Sequence, residues 1–147
     1  MPLADDLANL SRIPLFAVFD PGAMNALAFR SETRVLRAGD VLFRRGDMTD
    51  GGFILTAGSI ELYAHDDSTP ATCVQPWTLI GETALIAETT RPVTAIAAEA
   101  SMVLKISRTQ FLDLLARHPE TAARLQTLFC ERLREIAEAM TAFGAAV

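Results

Sequence analysis

The chain has 147 residues, half of them apolar and 21% charged, with a formal net charge of −5. This is a globular composition and not a disordered one, long enough for one domain to bury a core without disulfide staples. The acidic balance leaves no basic footprint for nucleic acid, so no direct DNA binding is expected. Two cysteines, Cys73 and Cys130, and two histidines, His65 and His118, show no Cys-x-x-Cys and no metal-ligand spacing. No metal is expected, and both cysteines read as small core residues. No apolar run approaches the ~18 residues of a membrane span, and Met1–Asp6 lacks a basic region followed by an apolar one. The expectation is a cytoplasmic protein without membrane association. The Met1 start and the Ala-rich end read as a complete small protein.

In chain order, residues 1–32 read as helical. Leu3, Leu7 and Leu10 recur at helical spacing, Ile13-Pro14-Leu15-Phe16 interrupts them, and Asp20-Pro21 gives an N-cap with proline at the first helical position. From Thr33 the texture changes to short apolar runs separated by Gly39-Asp40, Gly46-Asp47, Asp50-Gly51-Gly52 and Gly58-Ser59. Turn signals at this spacing predict short antiparallel strands in a sandwich or rolled barrel over residues 33–107. Gly81–Ala87 is a short helix among the strands. Met102, Leu104 and Ile106 alternate with Val103, Lys105 and Ser107 as a half-buried strand. Ser107-x-x-Gln110 is a capping box that opens the C-terminal helices, 108–147. Phe111, Leu114 and Leu115 face the core, and Pro119 starts the last helix. Leu125, Phe129, Leu133, Ile136, Met140 and Phe143 follow in steps of three and four, a coiled-coil-like seam. The fold class is mainly β: an antiparallel, jelly-roll-like β-roll with helices at both ends, one domain over 1–147.

The chemistry is concentrated in Gly81-Glu-Thr-Ala-Leu-Ile-Ala-Glu-Thr-Thr-Arg-Pro-Val-Thr94. A short helix start offers unpaired amides to an anion. Gly81 permits close backbone approach. Glu82 can accept from a ribose hydroxyl, and the Arg91 guanidinium presents a fork of donors to a phosphate. Thr83 and Ala84 carry the helix amides, and Thr94 closes the wall.

The segment resembles the phosphate-binding cassette of the cyclic-nucleotide-binding family. Gly81, Glu82, Ala84, Leu85, Arg91 and Thr94 fall on the family's pattern, and Gly39, Gly46, Phe53-Ile54 and Gly58 match its run of turn glycines. The resemblance covers essentially the whole chain. It implies a β-roll that binds a cyclic nucleotide without a further cofactor, with Phe129 in the last helix as a lid over the base. The departure is Pro92. Family members commonly offer a backbone N–H, and sometimes a hydroxyl, at the residue after the arginine, and proline has neither. A lost charge-assisted hydrogen bond costs about 1.5–3 kcal/mol, roughly tenfold to a hundredfold in affinity. Cyclic GMP-selective members often place a threonine there, so cAMP is the expected ligand and cGMP the alternative.

Other readings stand beside these. Gly81 also fits a plain turn, Glu82 a carboxylate that stabilises a helix dipole, and Arg91 a structural partner of Glu82 or Glu88. The seam within 120–143 either packs wholly on its own roll or forms a homodimer. No Ser/Cys–His arrangement suggests an enzyme. The expected function is a regulatory sensor that signals through its last helix to an effector protein the sequence does not identify. The alternative is a degenerate member of the fold that binds no nucleotide and serves as an interaction or dimerisation module.

Overall fold

The computed structural model describes residues 4–66 and 68–146. Leu3 lies outside the described residues, and the Phe143 side chain outside the described side chains. Helix α1 (Ala4–Ser11), a 3-10 turn (Pro14–Val18) and α2 (Pro21–Arg30) lead into eight strands. These are β1 (Glu32–Leu36), β2 (Val41–Phe43), β3 (Gly51–Ala57), β4 (Ile60–Tyr63), β5 (Thr72–Val74), β6 (Thr78–Ile80), β7 (Thr94–Ala97) and β8 (Ser101–Ser107). A second 3-10 turn (Thr83–Leu85) lies between β6 and β7, and α3 (Arg108–Arg117) and α4 (Pro119–Ala146) follow β8. The N-cap half of each expected cap forms: Asp20 Oδ1 accepts from the Ala23 amide at 2.7 Å, and Ser107 Oγ from the Gln110 amide at 3.1 Å.

Two four-stranded antiparallel sheets make up the roll, in the orders β1-β8-β3-β6 and β2-β7-β4-β5, and neither closes into a barrel. The turns between strands repeat one chemistry. In Arg37-Ala38-Gly39-Asp40 and Arg44-Arg45-Gly46-Asp47, the aspartate carboxylate accepts from the arginine amide, at 2.8 and 2.9 Å. The glycine of each turn ties it to the β7 side, Gly39 donating to Ala97 O and Gly46 to Arg91 O. The second turn thus holds the backbone of Arg91 in place.

The apolar side chains separate into two layers. Phe43, Phe53, Leu55, Ile60, Val74, Ile80, Ala95, Ala97 and Val103, drawn from both sheets, fill the roll. Leu10, Leu15, Phe16, Leu27, Ile54, Leu85, Ile106, Phe111 and Leu125 join the helices to the outer face of the first sheet. β3 and β8 therefore bury side chains on both faces, and the half-buried reading of β8 is corrected: Val103 and Ile106 are both buried, and only Met102 is exposed. The two cysteines are also corrected. Both are exposed. On the edge strand β5, Val74 takes the roll face and alternation turns Cys73 outward, while Cys130 sits on the solvent side of α4.

Candidate functional site

The cassette is built from its backbone. At the end of β6, Gly81 has φ +86°, a left-handed conformation that a side chain rarely adopts. The conformation requires the glycine, and a Cβ at this position would stand 2.7 Å from Arg91 Nη1 and press on that guanidinium. Glu82 caps the 3-10 turn in helical conformation. Leu85 and Ala84 anchor the turn by burial, and Thr83 faces solvent. The Ala84 amide donates to Gly81 O at 3.1 Å and is committed within the turn.

Arg91 is brought under this turn. Its residue is 5% exposed, which places a guanidinium inside the protein. Its Nη2 donates to Gly51 O at 2.8 Å, and its Cζ lies 4.4 Å from the centroid of the Phe43 ring and 5.5 Å from that of Phe53. The stacked phenyl rings supply a cation–π surface in place of water. Burial lowers the Arg91 pKa from its ordinary value; the charge of Asp50 opposes this and that of Arg108 adds to it. Among the described residues no carboxylate lies within salt-bridge distance of Arg91. The alternative that paired it with Glu82 or Glu88 is thereby corrected.

Glu82 instead meets α4: its Oε1 accepts from Arg132 Nη1, with both side chains about one-third exposed. Phe129, one turn earlier, packs on the helical core, and the Arg132 guanidinium lies 5.8 Å over its ring. Thr94 is buried at the start of β7, where its hydroxyl accepts from the Arg45 amide at 3.0 Å. Pro92 is exposed. Among the described residues no group of three or more His, Cys, Asp or Glu side chains is placed to hold a metal ion. A cavity of about 560 Å³ lies elsewhere, on the outer face of the first sheet, where Leu10, Phe29, Trp77, Met102 and Leu104 line it and no cassette residue does.

The sequence reading missed five contributors. Asp50-Gly51-Gly52 looked like a turn only, yet Gly51 and Gly52 open β3 directly beneath the cassette. A Cβ on Gly52 would stand 3.1 Å from Gly81 O. Thr49, Arg108 and Arg132 were not singled out. Each reaches the site from another part of the chain, and only the adjacent glycines carried a local signal.

The comparisons agree with this fold. The family model described as "Cyclic nucleotide-binding domain" matches residues 33–118, more than half of the chain. Among curated proteins, the chain is 29% identical over 125 residues to the Cyclic AMP receptor protein of Thermus thermophilus, covering 83% of this chain and 58% of that protein. It therefore spans less than two thirds of that relative's length. Among solved structures, the N-terminal domain of a transcriptional regulator from Streptomyces coelicolor A3(2) superposes with TM-score 0.83 at 30% identity, over 90% of this chain and 94% of that one. The cyclic nucleotide-binding-like protein from Brucella abortus gives TM-score 0.70 at 39% identity, over 76% and 98%. The β-roll with helices at both ends is thus shared with these solved structures, and the chain belongs to the cyclic nucleotide-binding domain family.

Proposed function

We propose that this chain is a regulatory sensor that binds a cyclic nucleotide, cAMP in the first place, between the cassette and the end of the roll, and reports occupancy through α4. One observation carries the reading: Arg91 is a buried cation without a carboxylate partner among the described residues. A buried charge is costly unless paired, and a cyclic phosphodiester supplies one negative charge of suitable size. Arg91 is the phosphate contact in this reading, with Gly81, Thr83 and Ala84 framing the approach, Thr94 at the wall and Pro92 contributing no donor. Glu82 has a second carboxylate oxygen to offer a ribose hydroxyl while its first holds Arg132. Phe129, beside Arg132, is the lid candidate. The name of the Thermus relative supports cAMP over cGMP, as does the absence of a hydroxyl at Pro92.

The same reading extends to partners. The first half of the α4 stripe is packed, with Leu125 3% exposed, whereas Leu133, Ile136 and Met140 are 66%, 56% and 69% exposed. The stripe continues one apolar face beyond the surface its own roll covers, as a two-stranded seam between copies requires. A homodimer through 120–143 is the proposed assembly, and an effector protein would read the ligand-dependent state. No catalytic step and no DNA contact is assigned to this chain, and the proposed setting is cytoplasmic. Among the described residues no helix is long and apolar enough to cross a membrane.

A second reading, an interaction module that binds no nucleotide, is favoured by Pro92 and by the engagement of Glu82 with Arg132. Calorimetric titration with cAMP and cGMP, on protein first stripped of bound nucleotide, separates the two. The sensor reading expects saturable binding that Arg91→Ala abolishes and Pro92→Ala tightens about tenfold. Wild-type protein silent at about millimolar nucleotide, and not rescued by Pro92→Ala, would establish the interaction module instead.

A further inference from the structure

Three consecutive residues, Thr49, Asp50 and Gly51, carry the backbone on which the anion site hangs, and two arginines share it. Arg91 Nη2 takes the Gly51 carbonyl at 2.8 Å. Arg108, the first residue of α3, takes the other two: its amide donates to Asp50 O at 2.7 Å, and its Nη2 to Thr49 O at 2.7 Å. The same Nη2 also reaches Thr49 Oγ1 at 2.8 Å, and Arg108 Nε donates to Ala84 O of the cassette turn at 3.0 Å. Thr49 is 5% exposed. It also grips the loop that carries Arg91: its amide donates to Thr89 O at 2.9 Å, and its hydroxyl accepts from the Thr89 amide at 3.1 Å. The Gly51 carbonyl that takes the Arg91 guanidinium, the cassette turn and the loop before Arg91 are therefore each tied to Thr49 or Arg108.

We infer that Arg108 is a positioning residue for the anion site, fixing through Thr49, Asp50 and Ala84 the tripeptide that holds Arg91 and the turn that faces it, so that α3 and the site share one set of hydrogen bonds. The inference deepens the sensor reading and rests on it for the ligand, but its structural half stands without one. A planar guanidinium is needed here because one fork must meet two carbonyls and a hydroxyl in fixed directions; an ammonium on a flexible stem cannot span the same acceptors. The device also gives α3 a direct stake in the site, since a movement of α3 would displace the Gly51 and Ala84 carbonyls together.

The test uses the full chain as Arg108→Gln, Arg108→Lys and Thr49→Val. The first readout needs no ligand. The Phe43 ring lies 4.4 Å from the Arg91 guanidinium, so its ring current should displace the Arg91 side-chain Nε–Hε resonance and make it a reporter of the placement of that group. The expected result is a displaced or broadened Arg91 resonance in Arg108→Gln and Thr49→Val, with cAMP affinity weakened about tenfold, the loss of roughly one hydrogen bond to a charged group. Arg108→Lys should restore the resonance only in part. An Arg91 resonance unchanged from wild type in both Thr49→Val and Arg108→Lys, which keep every charge, overturns the inference even if Arg108→Gln fails to fold. If the resonance moves as expected but wild-type protein binds no cAMP, the positioning role stands and the sensor reading fails.

Discussion

Glu82 and Arg132 join the head of the cassette turn to the middle of α4 across fifty residues of chain. Both side chains are about one-third exposed, so the pair contributes only about 0–1 kcal/mol to stability. Its value lies in connection: it is a side-chain link from the proposed ribose contact to the helix that would carry the signal. In wild-type protein, cAMP should change amide hydrogen exchange in α4 around residues 126–136. In Arg132→Ala the same nucleotide should still bind while exchange in that segment no longer responds. Equal responses in the two proteins would remove Arg132 from the signal path.

Arg91 combines a functional asset with a stability cost. A buried guanidinium without a carboxylate partner is less favourable than an apolar chain of similar length. Arg91→Met should therefore lose cAMP binding by more than about a hundredfold, the equivalent of at least ~3 kcal/mol, while its melting temperature equals or exceeds that of the unliganded wild type. Calorimetry and thermal denaturation measured together decide this. A markedly lower melting temperature would mean that the Gly51 and Phe43 contacts already compensate the buried charge.

How far these groups were legible depended on their distance along the chain. Gly81, Glu82 and Arg91 fall within one short segment, and the order of residue types there implies the chemistry directly. The N-caps Asp20 and Ser107 were legible for the same reason, because capping is a relation between near neighbours. Arg108 and Arg132 reach the site across 59 and 50 residues, and nothing in their own neighbourhood marks them among other exposed-looking helical arginines. Cys73 was misplaced because a three-residue strand does not declare which face is inward. β8 was read as half-buried because alternation presumes solvent on one side, and here both sides are packed.

The exposed half of the α4 stripe makes assembly testable. Leu133→Glu places a charge in the middle of the proposed seam and should convert a micromolar dimer to monomer by sedimentation, without changing the melting profile of the roll. A wild-type monomer throughout that concentration range would exclude the seam as a dimer contact.

Asp113 ties α3 to α2, its Oδ2 lying 2.6 Å from Arg30 Nη1 and 3.1 Å from Arg117 Nε. The hydrogen bond from Arg30 is the leading cause that lowers its pKa below the ordinary 3.8. A carboxylate with a lowered folded-state pKa contributes stability that is present above its unfolded value and is lost as pH falls through the folded value. Melting temperature should therefore fall more steeply between about pH 5 and pH 3 in wild type than in Asp113→Asn. Near neutral pH the asparagine variant should be the less stable of the two. Parallel acid profiles would show that the Arg30–Asp113 contact is not maintained in solution.

β3 is a wall with no outside. Phe53 and Leu55 belong to the filling of the roll, and Ile54 between them belongs to the helical layer. Close-packed interiors do not absorb displacement, so the two layers are mechanically in series across a single strand. A change of volume on the roll side arrives at the helices as a change of strand position, without any polar relay. The same arrangement narrows the substitutions this chain tolerates, because a residue chosen to suit one layer is judged at once by the fit of its neighbours in the other.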